Sequence, residues 1–119
     1  MKKILIVDDD KDITSLFEKF LTMEGYEATS LNESSKAIEV ANSITPDLFI
    51  LDLMMPQPDG FKLCRLLRAE KKFSYTPIII VTALNDKDSK VVAYGAGAND
   101  YLIKPFPIKE LGERVKSFF

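Results

Sequence analysis

Three stretches of this chain are apolar without a break: Ile4-Leu5-Ile6-Val7, Leu48-Phe49-Ile50-Leu51 and Ile78-Ile79-Ile80-Val81. Runs this short and this rich in β-branched residues read as parallel strands buried on both faces. The first extends back to Lys3, and the last stops at Thr82. Tyr26 to Leu31 alternates and reads as a more exposed strand, and Asp100-Tyr101-Leu102-Ile103 as a short fifth one. Between the strands the apolar period changes to that of a helix. Ile13, Leu16, Phe17, Phe20 and Leu21 form one stripe, closed by Gly25. Ala37, Ile38, Val40 and Ala41 mark a second helix, which Asn32 or Ser34 can cap. Phe61, Leu63, Cys64, Leu66 and Leu67 mark a third, ending near Lys71. Lys87 to Ala96 is the weakest, because Gly95 and Gly97 each cost about 1 kcal/mol relative to Ala where they are helical. Ile108, Leu111, Val115 and Phe118 give a closing amphipathic helix.

Strands alternating with helices imply right-handed crossovers and an α/β fold, a doubly wound five-stranded parallel sheet in three layers. The strongly apolar first, third and fourth strands belong in the centre and the weaker second and fifth at the edges. That is the flavodoxin-like order 2-1-3-4-5. With 119 residues, 46% of them apolar and 29% charged, the chain reads as one globular domain over residues 1–119. A net charge of -2 offers no basic footprint, so direct nucleic-acid binding by this domain is not expected. Met1-Lys2-Lys3 precedes only four apolar residues before three acids, so neither a signal peptide nor a membrane span is expected. The lone Cys64 lies in an apolar helical pattern, which suits core packing and a reducing cytoplasm.

Chemistry concentrates where the strands end. In an open parallel sheet ligands bind outside the carboxyl edge, and this topology delivers Asp8 and Asp9, Asp52, Thr82 and Lys104 to that edge. Taken singly, each has an ordinary reading as a turn, a strand end or a solvated charge. Together, three clustered carboxylates repel unless a divalent cation or a raised pKa relieves them. Oxygen donors in a chain with no histidine select Mg²⁺, with Mn²⁺ as the alternative, over zinc. A metal with open positions beside a lysine and a threonine hydroxyl makes a pocket for a phosphoryl group. Asp52 is then the nucleophile that forms an aspartyl phosphate.

Ile4 to Asp10, Leu51-Asp52-Leu53-Met54-Met55-Pro56 with Asp59-Gly60, Val81-Thr82-Ala83, and Gly97 to Phe106 closely resemble the receiver domain of bacterial response regulators, the chemotaxis regulator type included. The resemblance covers essentially the whole chain. It implies that Asp52 accepts a phosphoryl group from a sensor histidine kinase or phosphotransfer protein. Asp8, Asp9, Asp52 and the Met54 backbone carbonyl would hold Mg²⁺. Thr82 would bind the phosphoryl group and Lys104 pair with it, while Thr82 and Tyr101 act as the switch. Lys104-Pro105 is similar to the family's cis peptide. Beyond self-phosphorylation and its reversal no enzymatic activity is implied.

The resemblance implies further that phosphorylation lets the Tyr101 ring turn into space vacated by Thr82, changing the face built from 87–96, 100–103 and 108–118. On that face Lys90, Asp100, Glu110 and Arg114 match positions that form cross-subunit pairs in winged-helix regulators, so a phosphorylation-dependent homodimer is expected. Met54 and Leu84 stand where fast-resetting members carry polar residues, which implies slow loss of the phosphoryl group. Two rival readings fail. A phosphatase motif at Asp10-Lys11-Asp12-Ile13-Thr14 would leave Asp52 without a role, and a calcium loop from Asp8 would need Gly and Glu where Ile13 and Lys19 stand. No output segment is legible. The Phe118-Phe119 ending favours a domain excised from a longer protein.

Overall fold

A computed structural model describes all of residues 1–119. The chain runs β1 (Lys3–Val7), α1 (Lys11–Met23), β2 (Glu27–Leu31), α2 (Ala37–Ile44), β3 (Leu48–Leu51), α3 (Gly60–Ala69), β4 (Ile78–Thr82), α4 (Lys87–Ala96), β5 (Asp100–Ile103) and α5 (Ile108–Lys116). Single 3₁₀ turns precede α2 at Ser34–Lys36 and β4 at Lys71–Phe73. All strand pairs are parallel, in the order β2-β1-β3-β4-β5. The expected doubly wound topology is therefore present.

Side-chain alternation splits the core in two. Leu5, Val7, Phe49, Leu51, Ile78 and Ile80 face α2, α3 and α4. Ile4, Ile6, Leu48, Ile50, Ile79 and Val81 face Phe17 and Leu21 of α1 and Leu111 and Val115 of α5. The central strands are apolar throughout because both faces are covered. Cys64 is free and buried in the first of these cores. No helix is long and apolar enough to cross a membrane.

Helix ends follow local chemistry. Asp10 caps α1 by accepting from the Asp12 and Ile13 amides at 3.0 and 3.2 Å. At the far end Gly25 takes φ +97°, and the Tyr26 amide reaches back to the Leu21 carbonyl. Three local expectations are corrected. Neither Asn32 nor Ser34 caps α2: its N-cap is Lys36, with no side-chain bond, because both polar side chains are engaged elsewhere. α3 stops at Ala69, where Glu70 turns extended at ψ 121° and lets Phe73 drop edge-on against Phe49 at 5.2 Å. Leu16, placed on the α1 stripe, is 51% exposed at a groove of about 220 Å³ between α1 and the start of α5.

Candidate functional site

Register builds the site. Val7 and Leu51 are paired across β1 and β3, and the Asp52 amide donates to the Val7 carbonyl at 3.1 Å, so Asp8 and Asp52 leave the sheet side by side. Thr82 pairs with Ile103, which brings Lys104 to the same edge. Asp8 is 3% and Asp52 7% exposed. Lys104 Nζ lies between them, donating to Asp8 Oδ2 at 2.9 Å and Asp52 Oδ2 at 3.0 Å. The remaining oxygens take backbone amides, Asp10 N to Asp8 Oδ1 at 3.0 Å and Met54 N to Asp52 Oδ1 at 3.1 Å. Asp9 is exposed, and one carboxylate oxygen from each of Asp8, Asp9 and Asp52 falls within 4.8 Å of the others.

Burial pushes the Asp8 carboxyl above its ordinary range; the Asp10 amide and Lys104 pull it back, and the Asp52 charge raises it again. Burial would lower Lys104, but its bonds and charge contacts to Asp8 and Asp52 win and hold it above the usual lysine value. The arrangement is two buried carboxylates sharing one fixed cation, with a third acid at the rim. An all-oxygen donor set of this kind suits a hard divalent ion such as Mg²⁺.

Thr82 is fully buried and makes no hydrogen bond to the carboxylates; its Oγ1 accepts from the Leu84 amide at 3.4 Å. The Tyr101 hydroxyl donates to the Leu84 carbonyl at 2.7 Å, and the ring is 5% exposed. In this structure the ring is buried, with the Leu84 carbonyl as acceptor for its hydroxyl and Tyr94 packed at 6.5 Å. Burial raises the Tyr101 phenol, with Asp86 and Asp52 adding to the rise. Lys104-Pro105 is cis, as the resemblance implies, and Gln57-Pro58 is cis as well. One element of the site escaped sequence reasoning. A Cβ on Gly60 would stand 2.1 Å from the Asp52 carbonyl oxygen, so only glycine lets α3 start directly over the Asp52 backbone. Its place in an Asp-Gly pair signals a turn but not this contact.

The family model for the response regulator receiver domain matches residues 4–116. The chain belongs to that family. The receiver domain is 38% identical over 117 residues to the DNA-binding dual master transcriptional regulator RpaA of Synechocystis, covering 98% of this chain and 48% of that protein. It is 38% identical over 116 residues to the alkaline phosphatase synthesis transcriptional regulatory protein PhoP of Bacillus subtilis, again with 98% and 48% covered. The receiver domain thus spans about half the length of the curated relatives it matches. Among solved structures it is similar to a putative response regulator from Chloroflexus aurantiacus, with TM-score 0.92, 37% identity, and 98% and 96% of the two chains covered. It is also similar to chemotaxis protein CheY4 of Vibrio cholerae, with TM-score 0.95, 28% identity, and 100% and 99% covered. These likenesses agree on the fold over its full length.

The four residues expected on a dimer face do share one surface of the receiver domain. Arg114 donates to Asp100 at 2.6 Å and to Glu110 at 3.1 Å, while Lys90 Nζ lies 5.9 Å from the centre of the Tyr101 ring. All these contacts are within one chain.

Proposed function

We propose that Asp52 is the phosphoacceptor of a two-component pathway, loaded by a sensor histidine kinase or a phosphotransfer protein. One observation carries the reading: a buried strand-end carboxylate sits 3.0 Å from a fixed ammonium, within 4.8 Å of two further acids. In the transfer, Asp52 Oδ attacks phosphorus in line, the phosphorus–nitrogen bond of a phosphohistidine breaks, and the leaving imidazole takes up a proton. Asp8, Asp9, Asp52 and the Met54 carbonyl would hold Mg²⁺, which when bound neutralises charge on the transferring oxygens. Lys104 then passes from a carboxylate counter-ion to a partner of the phosphoryl group, and Thr82 supplies a hydroxyl. No other enzymatic activity is assigned.

The switch follows from charge. A phosphoryl group draws Thr82 and Lys104, and Leu84, bonded to both Thr82 and Tyr101, passes that movement to the face of α4, β5 and α5. RpaA and PhoP are named as transcriptional regulators; we assign this domain the control of such an output from the cytoplasm, through a phosphorylation-dependent homodimer.

The test is direct. Incubation with Mg²⁺ and acetyl phosphate should add one phosphoryl group by intact mass, EDTA should abolish the gain, and Asp52→Ala should show none. An unchanged gain in Asp52→Ala would overturn the assignment.

A further inference from the structure

Both side chains that look like helix caps in the sequence bind the backbone of neighbouring loops instead. Asn32 Nδ2 donates to the Asp8 carbonyl at 2.9 Å and to Thr14 Oγ1 at 2.9 Å. A carbonyl can only accept, which fixes the amide's orientation. The Asp8 amide donates to the Leu31 carbonyl at 3.1 Å, so the peptide groups on both sides of Asp8 are tied to the end of β2. On the opposite side Ser34 Oγ donates to the Pro56 carbonyl at 2.8 Å. Pro56 lies two residues past Met54 on the loop that leaves Asp52. A polar groove of about 230 Å³ separates the two segments, and the Ser34 bond is the one hydrogen bond across it.

We propose that Asn32 and Ser34 are positioning residues, and that the segment after β2 is a brace setting the divalent-cation affinity of the site. It holds the Asp8-Asp9 turn on one side and the Met54–Pro56 loop on the other. The inference rests on the reading that this site takes Mg²⁺. The backbone bonds that continue the strand pairing stop at the Asp8 and Asp52 amides. Beyond them Lys104 draws the two carboxylates together, and a tether to a third loop holds the backbone of the loops that carry them. Mg²⁺ demands near-ideal octahedral geometry at roughly 2.0–2.1 Å, whereas Ca²⁺ accepts roughly 2.3–2.6 Å and irregular coordination. A loosened brace therefore costs Mg²⁺ more than Ca²⁺. General loop packing, by contrast, would change stability without changing that preference.

The experiment titrates ¹⁵N-labelled protein with Mg²⁺ alone and with Ca²⁺ alone, following amide shifts near Asp10 and Met54. Asn32→Ala and Ser34→Ala should each weaken Mg²⁺ binding, and together by on the order of ten-fold, the scale typical of groups that orient metal ligands. Ca²⁺ should weaken less. Ser34→Thr, which keeps the hydroxyl, should bind like wild type. Phe73→Leu, which loosens the core away from the site, should lower Tm and leave both affinities alone. Wild-type Mg²⁺ affinity in a folded double variant, or equal losses for the two ions, overturns the brace. Wild type that binds no Mg²⁺ overturns the site reading itself. If the double variant does not fold, Ser34→Ala, one hydroxyl smaller, decides the matter alone.

Discussion

Met54 and Leu84 follow Asp52 and Thr82 by two positions each, and neither side chain can hold a water firmly. Met54 is 55% exposed and Leu84 half-buried. Hydrolysis of an aspartyl phosphate needs a water in line with the phosphorus–oxygen bond. The double variant Met54→Asn with Leu84→Glu supplies two polar anchors and should shorten the phosphorylated lifetime by about an order of magnitude. Decay of the phosphorylated mass after removal of acetyl phosphate measures it; unchanged or slower decay refutes the argument. At this scale the charged members of the site are legible in the sequence, because strand ends in a parallel sheet converge on one edge. The use of Asn32 and Ser34 is not, since a cap and a cross-loop tie employ the same residue types.

Among the elements α4 is lightly held. It buries only Ala93 and Ala96, and its exposed side includes Val91, Val92 and Tyr94. Its C-terminal end is gripped by Arg68 of α3, which donates to the Gly97 carbonyl at 3.0 and 2.8 Å, the Phe73 carbonyl at 2.7 Å, the Thr76 carbonyl at 2.6 Å and Asn99 Oδ1 at 2.7 Å. Gly97 turns the chain at φ +116°, and any Cβ there would meet Arg68 Cγ at 2.6 Å. Arg68→Ala strips charged donors from several carbonyls at once and should cost on the order of 3 kcal/mol in chemical denaturation. Amide exchange should rise first around Ala96 to Asn99; loss confined to α1 and α5 would show the clamp to be unimportant. The weakness of α4 is visible in Gly95 and its sparse apolar stripe. The clamp is hidden, because an arginine on a polar helix face reads as solvated until the turns it meets are known.

For the whole molecule, strand order is readable because burial on both faces leaves unbroken apolar runs that mark the centre of the sheet. How its surface pairs is less readable: Lys90, Asp100, Glu110 and Arg114 are identified by resemblance, and in the single chain Arg114 already has two partners. Cross-subunit pairing must exchange these contacts, and surface pairs are worth only about 0–1 kcal/mol each. Dimerisation should therefore be weak, require the phosphoryl mimic beryllofluoride and fade as salt screens the charges. Sedimentation velocity checks this, and a monomer at high concentration in low salt with the mimic would exclude such a dimer. The ammonium between the two buried aspartates has a consequence in time as well as in space. Lys104 stands 96 residues from Asp8 and 52 from Asp52 along the chain. Contacts so distant in sequence close late, because loop entropy must be overcome before they form. A growing polypeptide whose first four strands have already paired still lacks the cation that the transferred group would meet. On the proposed reading, competence to accept a phosphoryl group therefore waits until β5 and Lys104 have been made and have docked.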